Sequence, residues 1–301
     1  MPNATIYVYD NNSTDDTVAN ARAAGAVVRH EPMQGKGYVT RRMFADIAAD
    51  VYVVVDGDAT YDVAAAGVMV RRLLAEGLDL VNGRRMSIDQ RAYRAGHQFG
   101  NWFLTRAVAI IFGHRIADML SGLKVLSRRF VKSFPCLATG FEIETEMTVH
   151  ALELAMPIAE IPVTYRERPT GSFSKLHTVR DGVRIAWLIL RLMRAERPII
   201  FFGSIFVVLA TLSGLLGWEI YTEWLATGLV LRTPTAILTT GMMLLAFLSA
   251  SCGIILETVT LGRREAKRMV YLSIPPLPPE AVSVFAAASE SQPEFVRVSP
   301  H

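Results

Sequence analysis

Cysteine is nearly missing from the chain. There are 2 in 301 residues, Cys136 and Cys252, and they lie in different regions. That excludes a disulfide framework and fits a reducing, cytosolic setting for any globular part. The 6 histidines are scattered without ligand-like spacing, so no zinc site is expected. Net charge is only +3, which provides no electrostatic footprint for nucleic acid. No signal peptide is read at the N-terminus, because Met1-Pro2-Asn3 leads at once into the strand-like run Ala4–Tyr9.

Apolar residues are plentiful, at 51% of the chain. They concentrate between Pro198 and Val259, which suggests a membrane segment joined to a globular domain. Pro198–Trp218 carries no charge and, as a helix, spans roughly 30 Å, about one hydrocarbon core. Ala236–Leu256 is a second such run, and a loop with Glu219, Glu223 and Arg232 separates the two. Arg191, Arg194 and Arg197 precede the pair, and Arg263, Arg264, Lys267 and Arg268 follow it. The positive-inside rule then puts both flanks in the cytoplasm and the short loop outside. The reading is a two-helix transmembrane hairpin within 198–258, in preference to a buried soluble hairpin. Thr178–Arg197 interleaves Val183, Ile185, Leu188, Ile189 and Leu192 with five arginines, a basic amphipathic helix suited to an anionic membrane surface. Residues 259–301 read as a cytoplasmic, largely disordered tail, with Pro275-Pro276-Leu277-Pro278-Pro279 near its middle.

Residues 1–177 read as the globular domain. Strands are expected at Thr5–Tyr9, Ala26–Arg29, Val51–Val55, Leu80–Val81, Lys124–Leu126 and Ile158–Tyr165. Helices are expected near Thr14–Ala24, Lys36–Ala49, Val63–Glu76, Ala92–Phe112 and Phe141–Leu154. The alternation argues for an α/β sandwich with a mostly parallel sheet, whose ligands bind at the carboxyl ends of strands. Two acidic clusters fall at such ends: Asp10 after the first strand, and Asp56 and Asp58 after the third.

In Asp56-Gly57-Asp58 an apolar strand ends in two carboxylates separated by a glycine, which aims both at one loop region. Hard oxygen ligands of this kind suit Mg²⁺ or Mn²⁺, which usually also take substrate phosphate oxygens. The other reading of the same residues is a solvated turn in which Asp58 caps the next helix. In Asp10-Asn11-Asn12-Ser13-Thr14-Asp15, turn and N-cap chemistry explains Ser13 to Asp16 well. It explains Asp10 less well, since a carboxylate at a strand end in a cleft needs a partner.

The run Tyr9-Asp10-Asn11-Asn12-Ser13-Thr14-Asp15-Asp16-Thr17 resembles the Val-Asp-Asp-Gly-Ser-Thr-Asp-Gly-Thr run of family 2 glycosyltransferases. Further matches follow in order. Gln34-Gly35-Lys36-Gly37 is similar to that family's glycine turn, and Asp56-Gly57-Asp58 to its metal-binding Asp-x-Asp. Val81-Asn82-Gly83-Arg84-Arg85 resembles a segment ending in Gly-Ser-Arg, and Asp118–Lys124 an Asp-x-x-Ser-Gly-x-Arg segment. Gly140-Phe141 with Glu142, Glu144 and Glu146 resembles the acceptor-side helix. Arg168–Leu176 resembles the closing Arg-x-x-Gly-x-Ser-Lys-Leu. The nearest subgroup is the dolichyl-phosphate mannosyltransferase-like polyprenyl-phosphate glycosyltransferases, and the likeness covers roughly residues 5 to 176.

The resemblance implies a GT-A-type nucleotide-sugar-binding sandwich and an inverting single displacement onto a membrane polyprenyl (undecaprenyl or dolichyl) phosphate. Asp56 and Asp58 would carry Mg²⁺ or Mn²⁺. Asp10 would meet the nucleotide, and Arg85 with Lys175 or Arg168 would face phosphates. Lys36 and Lys124 join the substrate-binding set. Lys124 stands where the family often has arginine, keeping the charge without the planar fork. Asp58, Glu142, Glu144 and Glu146 are the candidate catalytic carboxylates. On a helix, Glu142 and Glu146 share a face. A lipid-phosphate acceptor is already ionised near neutral pH, so no strong general base is required. The family's usual first strand and its Pro-x-Tyr-Asn-Glu loop have no counterpart before Thr5, so a start set downstream or a truncated copy is expected. The setting implied is a multi-pass protein of a bacterial inner membrane with its catalytic domain in the cytoplasm. Transfer to a protein or glycan, or an inactive membrane-bound homologue, are the alternatives. A processive polysaccharide synthase is disfavoured, because Gln-x-x-Arg-Trp and additional spanning helices are missing.

Overall fold

The computed structural model describes residues 4–87, 106, 108, 116–140, 142–166, 187 and 189–277. The chain divides into two compact units: Met1–Lys175 with Lys267–His301, and Leu176–Ala266.

In the first unit β-branched and aromatic runs form six strands. These are β1 (Tyr7–Asp10), β2 (Val27–His30), β3 (Val51–Val54), β4 (Leu80–Ser87), β5 (Lys124–Ser127) and β6 (Ile158–Tyr165). Helices α1 (Thr17–Ala23), α2 (Lys36–Asp46), α3 (Ala65–Glu76), α4 (Arg128–Ser133) and α5 (Ile143–Glu153) lie between them. β1 and β2 pair in parallel as a two-stranded sheet, and the other four form a sheet in the order β3-β5-β4-β6. β5 runs antiparallel to both neighbours while β4 and β6 run parallel, so three of the four strands point one way. The expected mostly parallel α/β sandwich is thus a mixed sheet with one reversed strand. β5 is followed directly by the short α4, which Ser127 caps by accepting the Phe130 N–H.

β4 is much longer than the expected Leu80–Val81, because polar Asn82, Arg84 and Arg85 continue in register with β6. Cross-strand pairing overrides weak local strand preference there. The helix expected at Ala92–Phe112 lies almost wholly outside the described residues. Two apolar clusters fill the unit. One joins Phe44, Tyr52, Phe130, Phe134, Ile143 and Met147, and the other joins Met69, Leu73, Val81, Leu123, Val125 and Val163. His150 packs against the first. It is buried against Phe130 and Phe134, and burial pulls its pKa down to about 3.

The second unit holds α6 (Pro198–Thr227) and, as far as Ala266, α7 (Thr233–Ser273); both helices are apolar and long enough to cross a membrane. They pack as a hairpin. Ser213 Oγ donates to Thr239 O at 2.9 Å, Ser249 Oγ to Phe202 O at 2.9 Å, and Gly253 lets the backbone of Pro198 and Ile199 approach. Small residues and hydroxyls at such a contact are what apolar helices use when no hydrophobic gain is available. Large side chains such as Val207, Leu215, Leu244 and Phe247 face outward. Of the expected amphipathic stretch Thr178–Arg197, residues 189–196 are described and helical. The carbonyls at the end of this helix are capped from α7: Thr260 Oγ1 and Arg263 Nη2 each donate to Ala195 O at 3.1 Å, and Arg264 Nη2 donates to Glu196 O at 2.7 Å. The buried Glu196 carboxylate pairs with both arginines.

Residues 259–273, the start of the segment read as a largely disordered tail, form the last turns of α7. From Lys267 on, these residues belong to the first unit, which supplies their partners. Lys267 Nζ donates to Glu153 Oε2 at 2.5 Å, Arg268 Nη1 to Leu154 O at 3.3 Å, and Tyr271 OH to Asp79 Oδ2 at 2.7 Å. Arg129 stacks over the Tyr271 ring and donates to Ile274 O at 2.8 Å. Tyr271→Phe removes a hydrogen bond to a buried carboxylate and is expected to destabilise the protein by about 1.5 kcal/mol. Thermal unfolding of the detergent-solubilised chain measures this.

Candidate active site

Three loops meet at the carboxyl ends of β3 and β4. The first is the turn before α2. Gly35 has φ 141°, and both Gly35 and Gly37 press on the backbone of Ala138 and Thr139, where any methyl group would overlap a carbonyl oxygen. Gly37 N donates to Thr139 O at 3.1 Å, and Gly35 N to Asn11 Oδ1 at 2.8 Å. Lys36 is thereby held between two tethered glycines. Its ammonium contacts both Asp56 Oδ1 and Glu144 Oε1. Burial opposes the lysine's charge, but the Glu144 and Asp56 carboxylates more than offset it and raise its pKa. Burial raises the Glu144 pKa, with Lys36 opposing, and among the described residues Glu144 Oε2 has no hydrogen-bond partner.

The second loop carries the two aspartates. Asp56 lies against Gly122, where an added methyl would collide with its carboxylate. Gly122 N in turn donates to Tyr61 OH at 2.7 Å. Asp58 Oδ1 accepts the Thr60 hydroxyl at 2.6 Å. It does not cap the following helix: α3 begins at Ala65, and Asp62 accepts the Ala64 N–H at 3.0 Å. The left-handed residue of this turn is Ala59, at φ 57°, and Gly57 has open space where a side chain would stand.

The third loop, 116–123, is bound to β4. Asp118 grips Arg85 with two hydrogen bonds of 2.7 Å and also accepts the Arg85 N–H at 3.1 Å. Burial pushes the Asp118 pKa up, but the Arg85 hydrogen bonds and charge prevail and hold it below the usual carboxylate range. Arg85 also lies over the Tyr165 ring. Glu160 on β6 shapes the loop by accepting from Ala117 N at 2.8 Å, Asp118 N at 3.3 Å and Asn82 Nδ2 at 2.9 Å.

The residues singled out from the sequence therefore separate into groups. Lys36, Asp56 and Glu144 come together. Arg85 is fixed by Asp118. Lys124 is fully buried rather than lining an open cleft. Its ammonium donates to Asn82 Oδ1 at 2.7 Å, and burial pulls its pKa down to about 8. Glu146 does not share an exposed acidic face with Glu142. Its carboxylate accepts Leu137 N at 2.9 Å and Ala138 N at 2.7 Å, which sets the loop that Gly35 and Gly37 lean on. Glu142 folds back beside Gly140. Asp10 is buried at the end of β1. Hydrogen bonding from Ser13, with a further contribution from His30 at 3.1 Å, holds its pKa low. Arg168 and Lys175 lie outside the described residues. Gly122, Tyr61, Asn82 and Glu160 were not singled out. Gly122 and Asn82 sit inside matched motifs, whereas nothing in the local pattern marks Tyr61 or Glu160.

Residues 1–134 match the model described as Glycosyl transferase family 2. The chain is 36% identical over 225 residues to "Glycosyltransferase AglJ" of Haloferax volcanii, covering 73% of each chain. It is 26% identical over 186 residues to the "Dolichyl-phosphate hexose transferase" of the same organism, covering 62% of this chain and 79% of that one. A solved structure described as that of a mycobacterial protein shares the fold, with TM-score 0.50 and 23% identity over 63% of each chain. A GT-A-like fold with carboxylates and cations gathered at its strand ends defines a nucleotide-sugar-dependent transferase. The chain belongs to glycosyl transferase family 2.

Two outcomes follow. Gly122→Ala pushes Asp56 aside and is expected to slow transfer from a nucleotide-sugar on the order of 10-fold to 100-fold, read from initial rates. Asp118→Asn is expected to cost roughly 2–3 kcal/mol of stability. Because the folded pKa of Asp118 is depressed, its contribution is complete above the unfolded value near ~3.9 and is lost as pH falls through the lower folded value. Unfolding curves between pH 2 and 6, each unit an approximate step, should show this acid component in the parent and lack it in the variant.

Proposed function

We propose that the chain moves a hexosyl group from a nucleotide-diphosphate sugar to a polyprenyl phosphate at a membrane surface. The observation that carries this reading is the presence, in one chain with the transferase unit, of α6 and α7, each apolar and long enough to cross a membrane. The name of the dolichyl-phosphate hexose transferase relative supports the same acceptor class. The basic residues before α6 and late in α7 support a multi-pass bacterial inner-membrane protein with its transferase unit in the cytoplasm. On this reading the domains are a catalytic unit to about residue 177, a juxtamembrane helix before Pro198 and a spanning pair.

A divalent cation fits the donor set. Asp56 and Asp58 offer hard carboxylate oxygens in one loop after β3. Among the described residues no cluster of three or more His, Cys, Asp or Glu is arranged to hold a metal. Two protein carboxylates with the remaining ligands from a diphosphate is the usual pattern for Mg²⁺ or Mn²⁺. When bound, such an ion would neutralise charge on the departing diphosphate. Arg85, held by Asp118 and Tyr165, presents a fixed positive charge to phosphate oxygens, and Arg168 and Lys175 would add to it. Asp10 orients the nucleotide. An acceptor phosphate oxygen attacks the anomeric carbon, the bond to the nucleoside diphosphate breaks, and configuration inverts. The ionised acceptor needs no proton removed, so Glu142 and Glu144 serve to position groups and Glu146 serves through its loop.

Full-length protein in detergent, incubated with radiolabelled nucleotide-sugars and undecaprenyl or dolichyl phosphate, tests this. Label is expected in the organic extract, and Asp58→Asn is expected to reduce it on the order of 100-fold or more. Label appearing only on protein or soluble glycan would discard the lipid acceptor.

A further inference from the structure

We propose that Lys36 is a resident counter-cation, which occupies Asp56 in the free protein and transfers to Glu144 when a divalent metal takes Asp56. The inference rests on the metal reading of Asp56 and Asp58 given above.

The placement of Lys36 is built by the fold. Gly35 and Gly37 on either side are tied to Asn11 Oδ1 and Thr139 O, and neither position has room for a methyl group. Those tethers leave the lysine stem one direction, into the site. Its ammonium bridges Asp56 Oδ1 and Glu144 Oε1. The two carboxylates differ in their surroundings. Asp56 is 30% exposed and stands at the end of β3, whereas Glu144 is 9% exposed and sits on α5. A buried carboxylate with a bare second oxygen is costly unless a cation stays with it. Among the described residues Glu144 Oε2 has no hydrogen-bond partner, so Glu144 can take further donors from the same ammonium. A monovalent ammonium and a divalent ion cannot both sit on Asp56 Oδ1, because like charges at contact distance repel strongly in a half-buried site.

The arrangement keeps Asp56 compensated and oriented while no metal is present. It sets a threshold that a metal must overcome, and a metal arriving with a diphosphate overcomes it more readily than a bare ion. Glu144 retains the displaced lysine nearby, so its charge remains available to the substrate's phosphates.

Mn²⁺ alone, titrated into the full chain in detergent and followed by electron paramagnetic resonance, provides a readout separate from turnover. Lys36→Met keeps the side-chain length and removes the charge, and Mn²⁺ is expected to bind about 10-fold more tightly. Glu144→Gln strands the lysine on Asp56, and Mn²⁺ is expected to bind several-fold more weakly, by roughly 3-fold or more. Turnover should fall in both variants, so rate alone does not mimic the expected pattern of opposite affinities. Equal or weaker Mn²⁺ binding in a folded Lys36→Met protein overturns the proposal. If that variant does not fold, unchanged or tighter binding in Glu144→Gln overturns it. Asp58→Asn separates the two readings. Mn²⁺ binding that is insensitive to Asp58 removes the metal reading itself, whereas Asp58-dependent binding unaffected by Lys36 removes only the counter-cation.

Discussion

The contact of the Lys36 ammonium with Asp56 and Glu144 is the interaction around which the transferase unit is organised. It joins three elements distant in sequence: the turn before α2, the end of β3 and the first turn of α5. Two of its members are carboxylates that would repel each other without the lysine between them. The backbone has been shaped to allow the contact. Gly35 and Gly37 let the turn lean on residues 138–139, Glu146 holds those residues from behind, and Gly122 gives the Asp56 carboxylate its space. Each of these is a support for one cation, and each would be hard to replace with a larger residue.

A second network fixes the other positive charge. Arg85 lies on a long strand whose outer half is sustained by pairing with β6. Asp118 clamps it bidentately, and Glu160 on β6 clamps the loop that carries Asp118. An arginine fixed in this way has already lost its rotamer freedom before any ligand arrives. The buried Lys124 belongs to the same network through Asn82 and reinforces the sheet beneath the site. Its charge acts on the site through the field and not by touch.

The last turns of α7 show how an apparently tail-like segment becomes structure. Their sequence is charged and has no strong pattern. Glu153, Asp79 and the Leu154 carbonyl, all in the first unit, supply partners that only the folded chain presents. The same holds at the end of helical residues 189–196, where Arg263 and Arg264 satisfy carbonyls that the helix itself leaves open.

Local pattern was enough for much of this protein. Period-two and β-branched runs located all six strands, and unbroken apolar runs located α6 and α7, because burial and strand geometry act on neighbouring residues. Asp10, Lys36, Asp56, Arg85 and Glu144 were singled out because they stand in ordered motifs. What tertiary structure alone decided is which of these charges meet. Nothing in the sequence spacing joins Lys36 to Glu144, 108 positions apart. Nothing separates Glu144, aimed into the site, from Glu146 two residues on, which is bonded to a loop. The two differ by the turn of a helix against a particular neighbour. Lys124 joined the substrate-binding set through its place in a matched motif, and the register of β5 between β3 and β4, which buries it, is a matter of tertiary structure. Hydrogen bonds and ion pairs between distant residues depend on three-dimensional closure, and the sequence encodes that closure only through the sum of all its contacts.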